Sequence, residues 1–320
     1  MHTTEAHTTE VKHGYEEVRI GGNRVFLPPP DRVPADPFVG RRDLIEQALA
    51  AWCTLDGSPP QHFRLWGPPG TGKNGLVYEL SRILGKELYI IEGNDDLRVE
   101  DIACIPTVDP ENTSRLRYNG SPLFAAMLRG GIAFFDEIGK VPHGTLSRLA
   151  SVLDRRRTLT SETAAIRIKA ASGFLFCAAL NEDEETGIGL PDYISERAVP
   201  AIYVGNPSME EMKIILKSQT SGRSEAWIRG FVSLFKDSHV SPRVAIELIR
   251  NATKLYKMRQ GSKSAERLTQ KSVSKYLREA AAGFPVEAAE ADVPSQVKPK
   301  KEKPENVYDL LPKEKRGSLH

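Results

Sequence analysis

The sequence predicts an α/β fold in which helices cover both faces of a parallel sheet, followed by a small all-α unit. Apolar, strand-like runs alternate with helical patterns up to about residue 205, and alternation of this kind is typical of parallel sheets. The predicted strands are 63–66, 87–91, 131–135, 173–180 and 199–204. From residue 206 onward the apolar spacing is helical only, and it predicts helices at 209–218, 225–236, 242–259 and 269–282.

Composition is that of an ordinary globular protein. The 320 residues are 40% hydrophobic and 27% charged, and the net charge of +2 suggests neither a polyanionic nor a strongly acidic partner. Cys53, Cys104 and Cys177 show no CxxC spacing, so a zinc site is not indicated and a reducing compartment is expected. No apolar stretch reaches the roughly 18 residues of a membrane span. We therefore expect a cytoplasmic protein.

A glycine-rich segment between a predicted strand and a predicted helix is the strongest motif of the chain. The strand 63–66 precedes it and the helical pattern of Leu76, Val77 and Leu80 follows it, which is the setting of a phosphate-binding P-loop. Glycines let successive N–H groups point inward, and the helix N-terminus adds partial positive charge. We expect nucleotide binding by the whole segment, which consists of Gly67, Pro68, Pro69, Gly70, Thr71, Gly72, Lys73 and Asn74.

Asn74 departs from the usual pattern. The residue after the P-loop lysine is normally Ser or Thr, whose hydroxyl binds Mg²⁺. An amide oxygen is also a hard ligand, so Asn74 remains a candidate metal ligand. The substitution nevertheless leaves open whether hydrolysis is robust.

Two further predicted strands end in polar residues. The strand 131–135 runs into Asp136 and Glu137, the Walker B pattern, and the strand 173–180 runs into Asn181. Parallel strands deliver such residues to one sheet edge, where ligands of open α/β folds bind. We expect Asp136 to hold Mg²⁺, Glu137 to polarise the attacking water, and Asn181 to position that water or contact the γ-phosphate.

The sequence further predicts four segments. Residues 1–37 form a flexible N-terminal segment with a small β-hairpin at 18–26 and a proline-rich linker. Residues 38–205 form the nucleotide-binding domain, in which 106–120 is expected to be a mobile loop. Residues 206–284 form a helical lid, and the charged, proline-rich residues 285–320 form a disordered tail.

From about residue 38 to 284 this order of motifs resembles the AAA+ ATPases, and most of all their MoxR branch, which includes the CbbQ and NorQ-type activators. The Asp-Glu pair and the P-loop are shared by P-loop ATPases in general. Features of the MoxR branch are found in 93–97, 100–102 and 121–124. Val39 and Gly40, at the start of the domain, match positions that contribute to nucleotide binding in this family.

The resemblance implies roles for three side chains. Asn181 matches the first sensor, Arg243 matches the second sensor on the lid, and Arg197 matches the arginine finger that reaches the nucleotide of a neighbouring subunit. A guanidinium near the γ-phosphate stabilises the charge of phosphoryl transfer, which supports such roles chemically. The run of arginines from Arg155 to Arg157 is an alternative source of the trans-acting group.

The resemblance also implies ATP and Mg²⁺ as cofactors, a ring oligomer that is usually a hexamer, and chaperone-like remodelling or activation of a client protein, often one with a von Willebrand factor A domain. Two alternatives stay open. One is a nucleotide-binding scaffold with little turnover because of Asn74. The other is a nucleic-acid motor or restriction-type subunit, which the near-neutral charge disfavours.

Overall fold

The computed structural model describes residues 7–12, 14–54, 59–109, 112–181, 190–220, 225–260, 268–285 and 287–288. Their contacts define two compact units. The first comprises the described residues of Met1–Pro34, Gln47–Gly67 and Val77–Tyr203, and the second comprises those of Ala35–Glu46, Pro68–Leu76 and Val204–His320. The predictions of disorder for the first six residues and for 289–320 lie outside the described residues.

The described elements comprise ten α-helices and fourteen strands. The helices are α1 (Arg42–Trp52), α2 (Lys73–Leu84), α3 (Pro122–Arg129), α4 (His143–Leu146), α5 (Leu149–Leu153), α6 (Asp192–Ser195), α7 (Met209–Gln219), α8 (Glu225–Phe235), α9 (Pro242–Gln260) and α10 (Gln270–Ala281). The strands are β1 (His7–Lys12), β2 (Tyr15–Ile20), β3 (Asn23–Leu27), β4 (Phe63–Gly67), β5 (Leu88–Glu92), β6 (Cys104–Asp109), β7 (Asn112–Gly120), β8 (Ile132–Asp136), β9 (Thr158–Ser161), β10 (Ile166–Lys169), β11 (Leu175–Asn181), β12 (Ala201–Tyr203), β13 (Ser238–His239) and β14 (Glu287–Ala288).

A parallel five-stranded sheet forms the centre of the first unit. Its order is β12-β4-β11-β8-β5, so the strand that precedes the P-loop and the strand that carries the Walker B acids both neighbour β11. The middle strands are apolar on both faces, and the side chains of Phe134, Phe135 and Phe176 are fully buried. Strands buried on both faces are typical of α/β proteins with helices above and below the sheet. The predicted fold class is confirmed.

A second sheet of the first unit replaces the mobile loop expected at 106–120. Its order is β1-β2-β3-β7-β6, and the pairing of β3 with β7 is parallel. The expectation of a loop was wrong because the segment is rich in polar residues and its hydrogen-bonding partner β3 lies some ninety residues earlier in the chain. Among the residues that anchor this sheet, Val25 and Cys104 are fully buried.

Two more differences from the expected elements follow α3. The apolar pattern of residues 145–153 predicts one helix, whereas the structure has the two short helices α4 and α5 there. The antiparallel ribbon of β9 and β10 comes next, and the sequence analysis had not predicted it. Leu159, Ile166 and Ile168 bury the inner face of the ribbon, whose strands of four residues are too short for their alternation to stand out.

The second unit is mainly helical, as expected for residues beyond 206. Helices α7 and α10 begin with capping boxes at Ser208 and Thr269, which satisfy N–H groups that the first helical turn leaves unpaired. A side chain on Gly230 of α8 would collide with Val273 of α10, so glycine allows these helices to approach closely. In the described part of the chain, no helix combines the length and apolar character needed to cross a bilayer.

Candidate functional site

The Walker B acids lie where β8 ends. Asp136 is the last residue of the strand, and Glu137 follows in the left-handed region with φ of 51°. The backbone N–H of Glu137 donates to Oδ1 of Asp136 at 3.0 Å. The two predicted acids thus occupy the end of β8 and the turn that follows it.

Asn181 lies beside Glu137. Its Nδ2 donates to Oε1 of Glu137 at 3.4 Å, and its backbone pairs with Gly67 at the end of β4. On the other side of β8, a Cβ on Gly93 would collide with the carbonyl oxygen of Glu137, and the N–H of Gly93 donates to the Asp136 carbonyl at 2.8 Å. The sheet thus brings the predicted base and the predicted first sensor together at its carboxyl edge.

Lys140 is a further member of this cluster that the sequence analysis missed. Its Nζ donates to Oε2 of Glu137 at 2.6 Å, and the two side chains are about half exposed. The hydrogen bond with Glu137, and secondarily its charge, raise the pKa of Lys140. Asn181 and Lys140 therefore contact opposite oxygens of the same carboxylate. The spacing of three residues within a helical turn is the signal that could have predicted this pair.

The P-loop residues Pro68–Leu76 belong to the second unit. Thr71 is almost fully buried, and its hydroxyl donates to the Pro68 carbonyl at 2.9 Å. The Nζ of Lys73 donates to that same carbonyl, also at 2.9 Å. The lysine side chain thus lies along the loop, where an ammonium would meet phosphate oxygens held by the backbone N–H groups.

The start of α9 packs against this loop. A Cβ on Gly70, whose φ is +78°, would come within 2.9 Å of the Ser241 hydroxyl and 3.2 Å of the Cβ of Arg243. The backbone N–H of Arg243 faces the Gly70 carbonyl at 3.4 Å. The predicted second sensor and the P-loop are therefore neighbours within the second unit.

The segment before α1 also contacts the loop and α7. A Cβ atom on Gly72 would lie 3.2 Å from the Phe38 ring. Gly40, next to Val39, has φ of +81° and packs on the backbone of Glu211. The buried guanidinium of Arg41 donates to the Gly205 carbonyl at 2.8 Å. Phe38 is a site contact that the sequence analysis did not assign.

The predicted ligands suit Mg²⁺ and a nucleoside triphosphate. Mg²⁺ takes oxygen ligands and is usually held by one or two carboxylates together with substrate phosphates and water. Of the predicted metal ligands, Asp136 has a carboxylate at the end of β8, and Asn74, the second residue of α2, has an amide oxygen. The backbone around Gly70 and Gly72 has the positive φ angles that turn N–H groups toward an anion.

Arg197 lies in a different cluster of the first unit. Its Nη1 donates to the carbonyl of Tyr193 at 2.5 Å, and the Tyr193 hydroxyl donates to the His143 carbonyl at 2.9 Å. The side chain of Arg197 is half-buried. The predicted arginine finger is thus hydrogen-bonded at the end of α6 and not to Glu137 or Asn181.

Comparison with known proteins finds a family whose model matches the central part of the chain. Residues 62–197 match the family model of the AAA domain, dynein-related subfamily. These residues are therefore similar to AAA domains of that subfamily. The match contains the P-loop, both Walker B acids, Asn181 and Arg197.

Relatives among curated proteins match over a similar length. An uncharacterized protein of Staphylococcus epidermidis is 30% identical over 175 residues, which are 54% of this chain and 66% of the relative. The uncharacterized protein YojN of Bacillus subtilis is 30% identical over 174 residues, 54% of this chain and 57% of the relative. The chain therefore spans just under two thirds, or less, of the length of these relatives.

Solved structures support the fold. A mutant of RuvB from Thermotoga maritima has a TM-score of 0.54 at 20% identity, covering 76% of this chain and 71% of that chain. NtrX from Brucella abortus has a TM-score of 0.52 at 14% identity, covering 76% of this chain and 54% of that chain. At these identities the likeness concerns the fold alone, which is the AAA+ P-loop fold.

Proposed function

We propose that the chain is an ATP-hydrolysing AAA ring protein of MoxR type that remodels or activates a partner protein. The observation that carries the proposal is the carboxylate of Glu137 beside Asn181, on the sheet edge where β4 ends at Gly67 and the P-loop begins. We therefore assign water activation to Glu137 and Asn181 on this edge, and phosphate binding to the P-loop that follows β4 in the chain.

Each proposed role follows from the chemistry of the side chain. The P-loop N–H groups and Lys73 bind the phosphates. Asp136 and Asn74 hold Mg²⁺, which neutralises charge on the phosphates when bound. Glu137 accepts a proton from the water that attacks the γ-phosphorus, and Asn181 orients that water. The bond from the γ-phosphorus to the bridging oxygen breaks, and the products are ADP and phosphate.

Arginines complete the proposed site. Arg243 is the second residue of the lid helix α9 and lies beside Gly70, so we assign it a contact with the phosphates of its own subunit. We assign Arg197 to the nucleotide of the next subunit, where its charge would stabilise the transition state. A site shared in this way requires an oligomer, and the resemblance to MoxR proteins favours a hexameric ring. Val39 and Gly40 are proposed to contact the nucleotide as well.

The client and the location rest on the resemblance and the composition. We propose a client with a von Willebrand factor A domain, because such partners accompany MoxR proteins.

A cytoplasmic location is supported by the free thiols of all three cysteines. Burial raises the pKa of the Cys104 thiol to about 12, which keeps it in its unreactive form.

Steady-state hydrolysis of ATP tests the proposal. We expect wild-type protein to release phosphate and Glu137→Gln to release at least about a hundredfold less, because the amide cannot accept the proton. ATP binding should survive in the variant. Glu162→Gln is the matched control, because it removes an exposed carboxylate paired with Arg148 in the same unit. Equal rates for Glu137→Gln and wild type would contradict the proposal.

A scaffold that binds ATP without turnover is the second candidate, and Asn74 favours it. If Asn74 is a weakened Mg²⁺ ligand, Asn74→Thr should raise turnover or lower the Mg²⁺ concentration for half-maximal rate. Titration of MgCl₂ at fixed ATP measures both quantities. An unchanged Mg²⁺ dependence would show that Asn74 does not limit the metal. The near-neutral charge gives a nucleic-acid motor no comparable support.

A further inference from the structure

The ring of Phe38 packs on two glycines that belong, like Phe38 itself, to the second unit. A Cβ atom on Gly72 of the P-loop would lie 3.2 Å from Cε2 of the ring, and a Cβ atom on Gly75 would lie 3.3 Å from Cδ2. Both distances are too short for a methyl group unless the ring moves. The ring therefore lies directly against the backbone of the P-loop and of the first turn of α2.

The two positions require glycine for different reasons. Gly72 has φ of +100°, which other residues rarely adopt, so glycine is needed there whatever surrounds it. Gly75 is the third residue of α2 and its φ is not positive, and glycine is a poor helix former. Among the described residues, its chain neighbours and helix backbone aside, only the Phe38 ring would lie within 4 Å of a Cβ on Gly75. Space for the ring thus accounts for this glycine.

The residues after Phe38 are fixed by contacts elsewhere in the second unit. Gly40 packs on the backbone of Glu211 in α7. The guanidinium of Arg41 is buried and donates to the Gly205 carbonyl at 2.8 Å. These contacts tie the segment that carries the ring to the residues that lead into the lid helices. The place of the ring is therefore not set by the P-loop alone, so the ring can restrict movement of the loop.

We infer that Phe38 is a positioning residue whose ring, packed on Gly72 and Gly75, holds the P-loop in its phosphate-binding conformation before a nucleotide arrives. The inference rests on the proposed function, in which this loop binds the phosphates of ATP. A glycine-rich loop has many conformations open to it, and ordering such a loop on binding costs free energy. A ring that restricts the loop in advance reduces that cost. In this role Phe38 contacts neither the phosphates nor the base.

Phe38→Ala removes the ring, and the binding of ADP and of tripolyphosphate measures the result. Isothermal titration calorimetry should give dissociation constants at least about fivefold higher for both ligands, because the lost restriction concerns the phosphate-binding loop. Phe38→Leu keeps apolar bulk over the glycines and should recover most of the affinity. Tripolyphosphate has no base, so weaker binding of ADP alone would indicate a contact between Phe38 and the base and would overturn the inference.

Amide hydrogen exchange in the nucleotide-free protein gives a readout that needs no ligand. In Phe38→Ala, exchange should become faster in residues 68–76 and stay at the wild-type rate in α10. Equal acceleration in both segments would indicate a general loss of stability, and unchanged exchange in 68–76 would indicate that the ring does not restrict the loop. Either result would overturn the inference.

Gly75→Ala tests the same contact from the partner of the ring. Alanine favours the helix, but its methyl group should displace the ring, so both ligands should bind more weakly than to wild type. In Phe38→Ala there is no ring to displace, so adding Gly75→Ala should weaken binding no further. Gly144→Ala in α4 is the matched control, because no described residue beyond its chain neighbours and helix backbone lies within 4 Å of a Cβ there.

Three binding results would overturn the inference alone. These are wild-type affinity in Phe38→Ala, wild-type affinity in Gly75→Ala, and effects of the two substitutions that simply add. Wild-type protein that binds neither ADP nor tripolyphosphate would overturn the proposed function, and the inference with it.

Discussion

Glu137 shows how far single residues can be interpreted from sequence. Glu137 follows an apolar strand, and this position predicted that its side chain would lie near the end of a neighbouring strand. Asn181 ends that neighbouring strand and contacts Glu137. The contacts of Lys140 and Phe38 were not predicted, since they depend on how short turns fold back onto the motif. The roles of Arg197 and Arg243 stay predictions, because sequence order does not determine what a long side chain contacts.

His62 gives a pH dependence at the residue scale. It is largely buried against Phe174 and Phe176, with ring centres 6.5 and 5.8 Å away. Burial first, and the charge of Arg157 second, lower its pKa from 6.5 to about 4. The folded state therefore binds fewer protons than the unfolded state between these values. The stability due to neutral His62 is complete above pH 6.5 and is lost as the pH falls toward 4.

We expect His62→Phe to remove this loss. In wild type, protonation of His62 in the unfolded state should lower the free energy of unfolding by about 2 kcal/mol at pH 5 relative to pH 7.5. A phenylalanine ring does not titrate, so this contribution should be absent from His62→Phe. Urea unfolding at both pH values measures the difference. His143→Asn, at an exposed histidine, is the control. If stability depends on pH identically in His62→Phe and wild type, the lowered pKa of His62 is contradicted.

At the scale of elements, helices were easier to predict than the second sheet. The helices α7 to α10 carry their apolar stripe within one segment, so the sequence period alone indicates them. The β6–β7 hairpin depends on β3 for burial. The sequence pattern of the hairpin alone does not indicate a pairing strand so far away in the chain. The N-terminal hairpin of β2 and β3 is likewise part of this sheet, although the flexibility proposed for 1–37 as a whole stays a prediction.

A charge network joins the two hairpins. Arg24 on β3 donates to both carboxylate oxygens of Glu17 on β2, at 2.9 Å each, and to Oδ2 of Asp109 on β6 at 2.7 Å. Glu17 is 6% exposed and Asp109 is 3% exposed. Removing one partner of a buried ion pair is strongly destabilising because the other charge stays buried.

Arg24→Met should therefore destabilise the second sheet by about 3 kcal/mol. Amide hydrogen exchange in β2, β3 and β7, compared with exchange in α9, measures the loss locally. Arg19→Met is the matched control, because Arg19 is directly opposite Arg24 and its side chain is 62% exposed. The stability lost in Arg19→Met should stay below about 1 kcal/mol. Equal effects of the two substitutions would show that the network does not join the hairpins.

At the scale of the whole molecule, the P-loop and the Walker B acids belong to different compact units. The first unit carries Glu137 and Asn181, and the second carries Lys73 and Arg243. The sequence predicted a division between sheet and lid, and those boundaries stay a prediction. Ring assembly likewise stays a proposal.

We propose that ATP is hydrolysed at sites shared between copies of this chain, and the dependence of specific activity on protein concentration measures that sharing. If arginines act in trans, activity per chain should rise with concentration and reach a plateau as the oligomer forms, and light scattering on the same samples should show assembly over the same range. A specific activity that stays constant from the dilute monomer to the concentrated protein would contradict the account.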